Sequence, residues 1–223
     1  MPPGWGWHDR AILTMARTQY NDDLELRFPL VHREQVLSQA EINNIDPAFA
    51  YAVIRQESAF IADARSHAGA LGLMQVLPRT AQQLAKGLDV QINHPLDILD
   101  ISKNLRFGMK YLRKALNRYD NNAVLATAAY NAGYPRVNKW LPEKGVIPSD
   151  LWAETVPFAE TRNYIQNIMA YTAIYEQRLN IKPTPLSNRM PPVSATGTIL
   201  TINSEQPVLK GSLKNSALSS PSL

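Results

Sequence analysis

The chain of 223 residues contains no cysteine. Disulfide frameworks, thiolate metal sites and cysteine nucleophiles are thereby excluded, although the redox compartment is not, because an oxidising envelope tolerates a cysteine-free protein as readily as the cytosol does. No stretch approaches the roughly twenty apolar residues needed to cross a bilayer. The opening run MPPGWGWHDR also lacks the basic region and apolar core of a secretion signal. Dense Lys/Arg runs and basic strips interleaved with aromatics are missing too, which argues against nucleic-acid binding. The net charge of +4 and pI near 9.3 still suit an anionic partner such as acidic cell wall or a phospholipid surface. Asp22, Asp23 and Glu25 beside Arg27 read as solvated surface charge rather than a metal site, and no cofactor is expected.

What is present is one carboxylate in an unusual setting. Asp46 is a candidate N-cap and Pro47 fits the first helical position; Phe49, Val53 and Glu57 then follow at i, i+4 and i+8. A carboxylate on a core-facing stripe loses water, which disfavours its ionised form and raises its pKa. On helix position alone, a glutamate satisfied by a backbone amide or by Arg65 is an equal reading. The following loop tips the balance. Gly69, Gly72, Ala68 and Ala70 allow close backbone approach, Ser66 and Gln75 supply uncharged hydrogen-bonding groups, and Met74 and Leu77 bracket Gln75 with apolar surface. Pro78 opens the next helix, with Gly87 its expected stop.

The rest reads as helical scaffold for one good-sized domain, and 45% hydrophobic content is ordinary for a soluble protein. Helices are expected over 7–20 and 31–40. Asp97 or Asp100 caps a long helix whose core stripe is Ile101, Leu105, Gly108, Leu112 and Leu116. Asn121 and Asn122 end that element and cap the next, 123–131, which Gly133 stops; Pro135 opens a short helix ending near Trp140, and 142–148 is a loop. The last long helix, 158–179, has Ile165, Ile168, Met169, Thr172 and Leu179 inside. After Ile181 the Pro- and Ser-rich composition predicts a linker or disordered tail, in which TILTIN is a possible strand with nothing obvious to pair with.

Four ordered motifs carry a resemblance. Glu57-Ser58, Ser66 with Gly69-Ala70-x-Gly72-Leu73-Met74-Gln75-x-x-Pro78-x-Thr80-Ala81, Ala129-Tyr130-Asn131-Ala132-Gly133, and Pro157-Phe158-Ala159-Glu160-Thr161-Arg162-x-Tyr164 together resemble the catalytic domain of soluble lytic murein transglycosylases of family 1. The likeness runs from about Trp7 to about Pro185. It implies a mainly α, goose-type lysozyme-like single domain over 29–182, a remnant of a preceding α-superhelical region over 1–28, and a tail over 183–223. It also implies a periplasmic location, so that an export signal is either lost or lies upstream.

Ordinary glycosidases need two carboxylates, about 5 Å apart for retention and further for inversion. The central motif offers one: Asp63 lies in a turn and Asp46 looks like a cap. The resemblance implies that protonated Glu57 donates to the glycosidic oxygen between N-acetylmuramic acid and N-acetylglucosamine, with the substrate's N-acetyl group stabilising C1. Deprotonated Glu57 then takes the proton of the muramoyl C6 hydroxyl, which closes a 1,6-anhydro ring. Ser66 would hydrogen-bond Glu57 or the N-acetyl group; Gln75, with Met74 and Leu77, would line sugar subsites; Tyr130 would orient Glu57 or the sugar. Asn131 either touches substrate or caps a helix. Glu160 complements the dipole of its helix and by resemblance faces the groove, and Tyr164 either stacks on a sugar or packs. Leu77 replaces a methionine common in the family, which leaves apolar contact intact. The expected partner is the peptidoglycan glycan strand, bound by a monomer without metal. The alternatives are a goose-type lysozyme, in which water attacks, and a wall-binding module without catalysis.

Overall fold

The computed structural model describes residues 23–195. The helix expected over 7–20 and the TILTIN strand lie outside them. Ten α-helices are formed among the described residues: α1 Leu24–Arg27, α2 Arg33–Ile42, α3 Pro47–Ser58, α4 Pro78–Leu88, α5 Ile101–Arg118, α6 Ala123–Ala132, α7 Tyr134–Trp140, α8 Ser149–Thr155, α9 Ala159–Arg178 and α10 Leu186–Arg189. A 3₁₀ turn spans Pro95–Leu99, and the two strands, β1 Val146–Ile147 and β2 Val193–Ser194, pair antiparallel. The architecture is mainly α, as the sequence predicts.

α3 is the axis of the molecule. Ala48, Phe49, Ala50, Tyr51, Ala52, Val53 and Ile54 are all buried, so the helix is apolar all round and must be enclosed. α9 packs along it, α6 packs against α9, α5 against α6, and α2 bridges α3 and α5. The alanines of α3 and of α6 (Ala126, Ala128, Ala129) let these backbones approach closely. Caps follow the sequence: Asp46 Oδ1 accepts from Ala48 N, Asp100 Oδ1 from Lys103 N, and Asn122 Oδ1 from Leu125 N. Asp97 instead closes a capping box with His94 on the 3₁₀ turn.

Four expectations are corrected. α2 begins at Arg33, because His32 takes a left-handed conformation (φ 53°). Gly87 does not stop α4, which runs to Leu88; Asp89 takes the left-handed position (φ 50°) and its N–H reaches Ala85 O. The loop 142–148 contains β1. Its partner lies in the segment whose composition predicts a tail: residues 183–195 are docked on the domain. Arg189 Nη2 meets Glu176 Oε2 at 2.5 Å, with the Glu176 side chain 1% exposed, and Thr184 N donates to the same oxygen at 3.1 Å. Asn122 Nδ2 donates to Pro191 O. A buried anion on α9 needs a cation, and the proline-rich composition hides the arginine that supplies it.

Candidate active site

Glu57 sits in the last turn of α3, and the chain reverses directly behind it. Ala59 (φ 49°) and Phe60 (φ 68°) are both left-handed, and the turn is held by Ala59 N donating to Arg55 O and Phe60 N to Ser58 Oγ. Arg55 points away: its Nε donates to Arg27 O and its guanidinium lies over Phe28 and Tyr171. Arg65 is exposed. Neither arginine pairs with Glu57. Its hydrogen-bond partner is Tyr164, whose hydroxyl donates to Glu57 Oε1 at 2.5 Å.

The loop that follows is packed rather than loose. Leu71 bridges Arg65 on one side and Val76 on the other, making a small β-like fold. Gly72 (φ 76°) is required twice over: its conformation is left-handed, and a Cβ there would stand 2.4 Å from Asn104 Nδ2. Asn104, fully buried on α5, donates to Leu71 O at 2.8 Å and Ile98 O at 2.9 Å and accepts from Met74 N at 2.8 Å. Gln75 Nε2 staples the loop through Gly72 O and Ala64 O. Sequence reasoning misses Asn104, whose only signal is an uncharged amide beside an apolar stripe.

The expected site residues separate into two sets. Tyr130 OH donates to Met74 O at 2.8 Å and feels the charge of Glu57. Thr161 Oγ1 donates to Asn131 Oδ1 at 2.7 Å, which turns Asn131 Nδ2 toward Glu160 Oε1 at 3.2 Å. Glu57, Tyr130, Tyr164, Asn131 and Glu160 thus converge where the ends of α3, α6 and α9 meet. Leu77 is 43% exposed on the loop. By contrast, the Met74 side chain is fully buried against Gly108, where a Cβ would come within 2.4 Å of its sulfur; it belongs to the core and not to a sugar subsite. Ser66 is exposed, and its Oγ accepts from Ala70 N rather than contacting Glu57.

Electrostatics fit a proton donor. Burial pushes the Glu57 carboxyl from 4.5 up to about 7; the Tyr164 hydrogen bond pulls down against this, and the nearby Glu160 carboxylate adds to the rise. Burial, and then the charge of Glu57, raise both tyrosine hydroxyls well above their ordinary value, so both remain donors. Among the described residues no group of three or more His, Asp or Glu side chains is placed to hold a metal ion.

The profile of the family described as the transglycosylase SLT domain matches residues 34–150, more than half of the chain. The chain belongs to this SLT family. A second profile, the soluble lytic transglycosylase helical domain, matches residues 155–183, which include Glu160 and Tyr164. The soluble lytic murein transglycosylase of Escherichia coli K12 is 36% identical over 183 residues, 81% of this chain and 28% of that protein. The SLT fold extends to solved structures. An inactive mutant of the lytic transglycosylase Slt from Pseudomonas aeruginosa superposes with a TM-score of 0.78 at 38% identity, over 82% of this chain and 30% of that one. The 70 kDa soluble lytic transglycosylase of Escherichia coli gives 0.76 at 32% identity, over 84% and 31%. The chain therefore has the lysozyme-like SLT architecture and spans less than a third of the length of these relatives.

Proposed function

We propose that this chain is a lytic transglycosylase that cleaves the β-1,4 bond between N-acetylmuramic acid and N-acetylglucosamine in peptidoglycan and releases 1,6-anhydromuramoyl ends. The observation that carries this is Glu57, displaced to about 7 and held by Tyr164 through one oxygen, which leaves the other free for a proton. Near neutral pH such a group exists in both forms and can serve as acid and then as base in one turnover.

Protonated Glu57 gives its proton to the glycosidic oxygen as the bond to C1 breaks. The substrate's N-acetyl oxygen stabilises C1 from the opposite face, so no enzymic nucleophile is needed. Ionised Glu57 then removes the proton of the muramoyl C6 hydroxyl, whose oxygen bonds to C1, and the acid is restored. Glu160, steadied by Asn131, adds to the burial that keeps Glu57 proton-rich, and the exposed Leu77 offers apolar contact to the flanking sugars. This reading puts the chain's work in the periplasm, where such strands lie. No helix among the described residues is long and apolar enough to cross a membrane.

The test is digestion of purified sacculi with product masses. Anhydro ends are expected from the wild type, and Glu57→Gln should lower turnover by at least about a thousandfold, since it removes both proton transfers. Turnover of Glu57→Gln near wild type, or reducing ends in place of anhydro ends, would overturn the proposal.

A further inference from the structure

Thr161 and Tyr164 stand one turn apart on α9, and each sends its hydroxyl to a different neighbour: Tyr164 to Glu57 on α3, Thr161 to Asn131 on α6. A helical threonine can direct its hydroxyl to the carbonyl one turn back, as Thr172 does to Ile168 O at 2.7 Å. Thr161, in the first turn of α9 and 2% exposed, instead donates across the helix interface to Asn131 Oδ1 at 2.7 Å. Asn131 Nδ2 donates to Glu160 Oε1 at 3.2 Å. Two successive residues of α9 thus hold opposite ends of one amide.

Glu160 is exposed, and a glutamate so placed has several rotamers open to it. Averaged over them, its charge would be spread into solvent and screened. The amide keeps one rotamer, but an amide has two ends, and reversed it would set Oδ1 against the Glu160 carboxylate. The arrangement that satisfies both ends is the one observed, with Oδ1 on the hydroxyl and Nδ2 on the carboxylate. The charge held in this way makes Glu57 harder to ionise. The other titratable groups at Glu57 are Tyr164 on α9, which donates to it, and Tyr130 on α6, whose hydroxyl feels its charge. Arg55, two residues earlier on α3, is turned away to Arg27 O.

We propose that Thr161 is a positioning residue for the proton transfer: by orienting the Asn131 amide it holds the Glu160 charge where it acts on Glu57, and so sets the alkaline limit of cleavage. The inference rests on the transglycosylase reading above. It gives Thr161 no contact with substrate.

The test is a double-mutant cycle on the full chain, with Thr161→Val, which deletes the hydroxyl at nearly constant shape, Glu160→Gln, and the two together. It is read by kcat/KM of sacculus digestion against pH, and by carboxyl-carbon NMR titration of Glu57 without substrate, the signal being assigned by its loss in Glu57→Gln. Once the Glu160 carboxylate is free to swing into solvent it opposes the ionisation of Glu57 less, so the acid form is lost at lower pH. Thr161→Val should therefore move the alkaline limb, and the Glu57 titration with it, to lower pH by about half a unit, the scale of one partly screened like charge. On the acid side of the limb kcat should stay within about threefold of wild type. In the Glu160→Gln background Thr161→Val should add no further shift, and Thr161→Ser, which keeps the donor, should restore the wild-type limb. Asn131→Ala, which removes the amide without touching the core, should reproduce the shift and reads the same linkage even where Thr161→Val folds poorly. A threonine that only packs would move the limb equally with and without the Glu160 carboxylate, or in neither case; either result, or an unmoved limb in Asn131→Ala, overturns the proposal. The NMR titration needs no turnover, so the two readings fail separately: missing anhydro ends in the wild type count against the cleavage reading, and a Glu57 titration indifferent to Thr161 and Asn131 counts against this one.

Discussion

At the scale of single residues, the site turns on a balance between burial, which favours the proton on Glu57, and one hydroxyl, which opposes it. Tyr164→Phe removes the opposing hydrogen bond and leaves burial in charge. The alkaline limb of the kcat/KM profile, which falls as pH rises through about 7 in the wild type, should move to higher pH, while the plateau drops about tenfold because Oε1 is no longer oriented. A limb that stays put would detach Glu57 from catalysis. The same displacement has a consequence for stability. With the folded value raised to about 7 from 4.5, the native state binds this proton more tightly, so the contribution of Glu57 to stability is fully present below 4.5 and is lost as pH rises through about 7. The difference amounts to at most about 3 kcal/mol. Glu57→Gln should abolish this slope, so above pH 7 the variant should outlast the wild type in thermal melts. Sequence periodicity locates Glu57 because a helix repeats every few residues. The partner is another matter: the sequence gives the orienting role to Tyr130 and leaves Tyr164 to stack on a sugar or pack, whereas the crossing of α9 over α3 brings Tyr164 to the carboxylate and Tyr130 supports the loop through Met74 O.

At the scale of elements, the loop 59–77 is shaped by α5. Gly108 lies mid-helix, where alanine has the better propensity by about 1 kcal/mol. Here the exchange should destabilise by about 1–3 kcal/mol, since a Cβ would stand 2.6 Å from Met74 Cβ and 2.4 Å from its sulfur. Met74 in turn carries the carbonyl that receives Tyr130, so Gly108→Ala should also reduce turnover, and denaturant unfolding alongside the sacculus digest checks both. A stabilised, fully active variant would contradict this packing. Gly108 is legible in the sequence as part of an apolar stripe. That it is a socket for Met74 is not, because the two lie 34 positions apart and neither residue type announces the contact. The expectation that Met74 lines the groove fails for the same reason: next to Gln75 in sequence, it turns the other way once Gln75 adopts φ 47°.

At the scale of the whole molecule, residues 183–195 close the domain. Glu176 is pulled upward by burial and downward, with the larger net effect, by hydrogen bonds from Thr184 and Arg189, leaving it below its ordinary value. Arg189→Met strands that anion and should cost about 3–5 kcal/mol, and truncation after Lys182 at least as much; for a chain of this size that is a fall in Tm of roughly 10 °C or more. An unchanged Tm would show the segment to be dispensable. Composition describes the segment as a tail because proline and serine report only what a stretch can do alone. Its order comes from partners elsewhere: Glu176, Asn122 and β1.

The position of the acid on α3 reaches beyond packing. Glu57 stands on the closing turn, where carbonyl oxygens without intrahelical partners gather partial negative charge. Beyond the desolvation that dominates, this backbone field resists a second negative charge by up to about 1 kcal/mol. The helix that presents the acid therefore also draws back the proton it lends: after each cleavage the carboxylate is left in surroundings hostile to it, and the nearest remedy is the sugar's own hydroxyl.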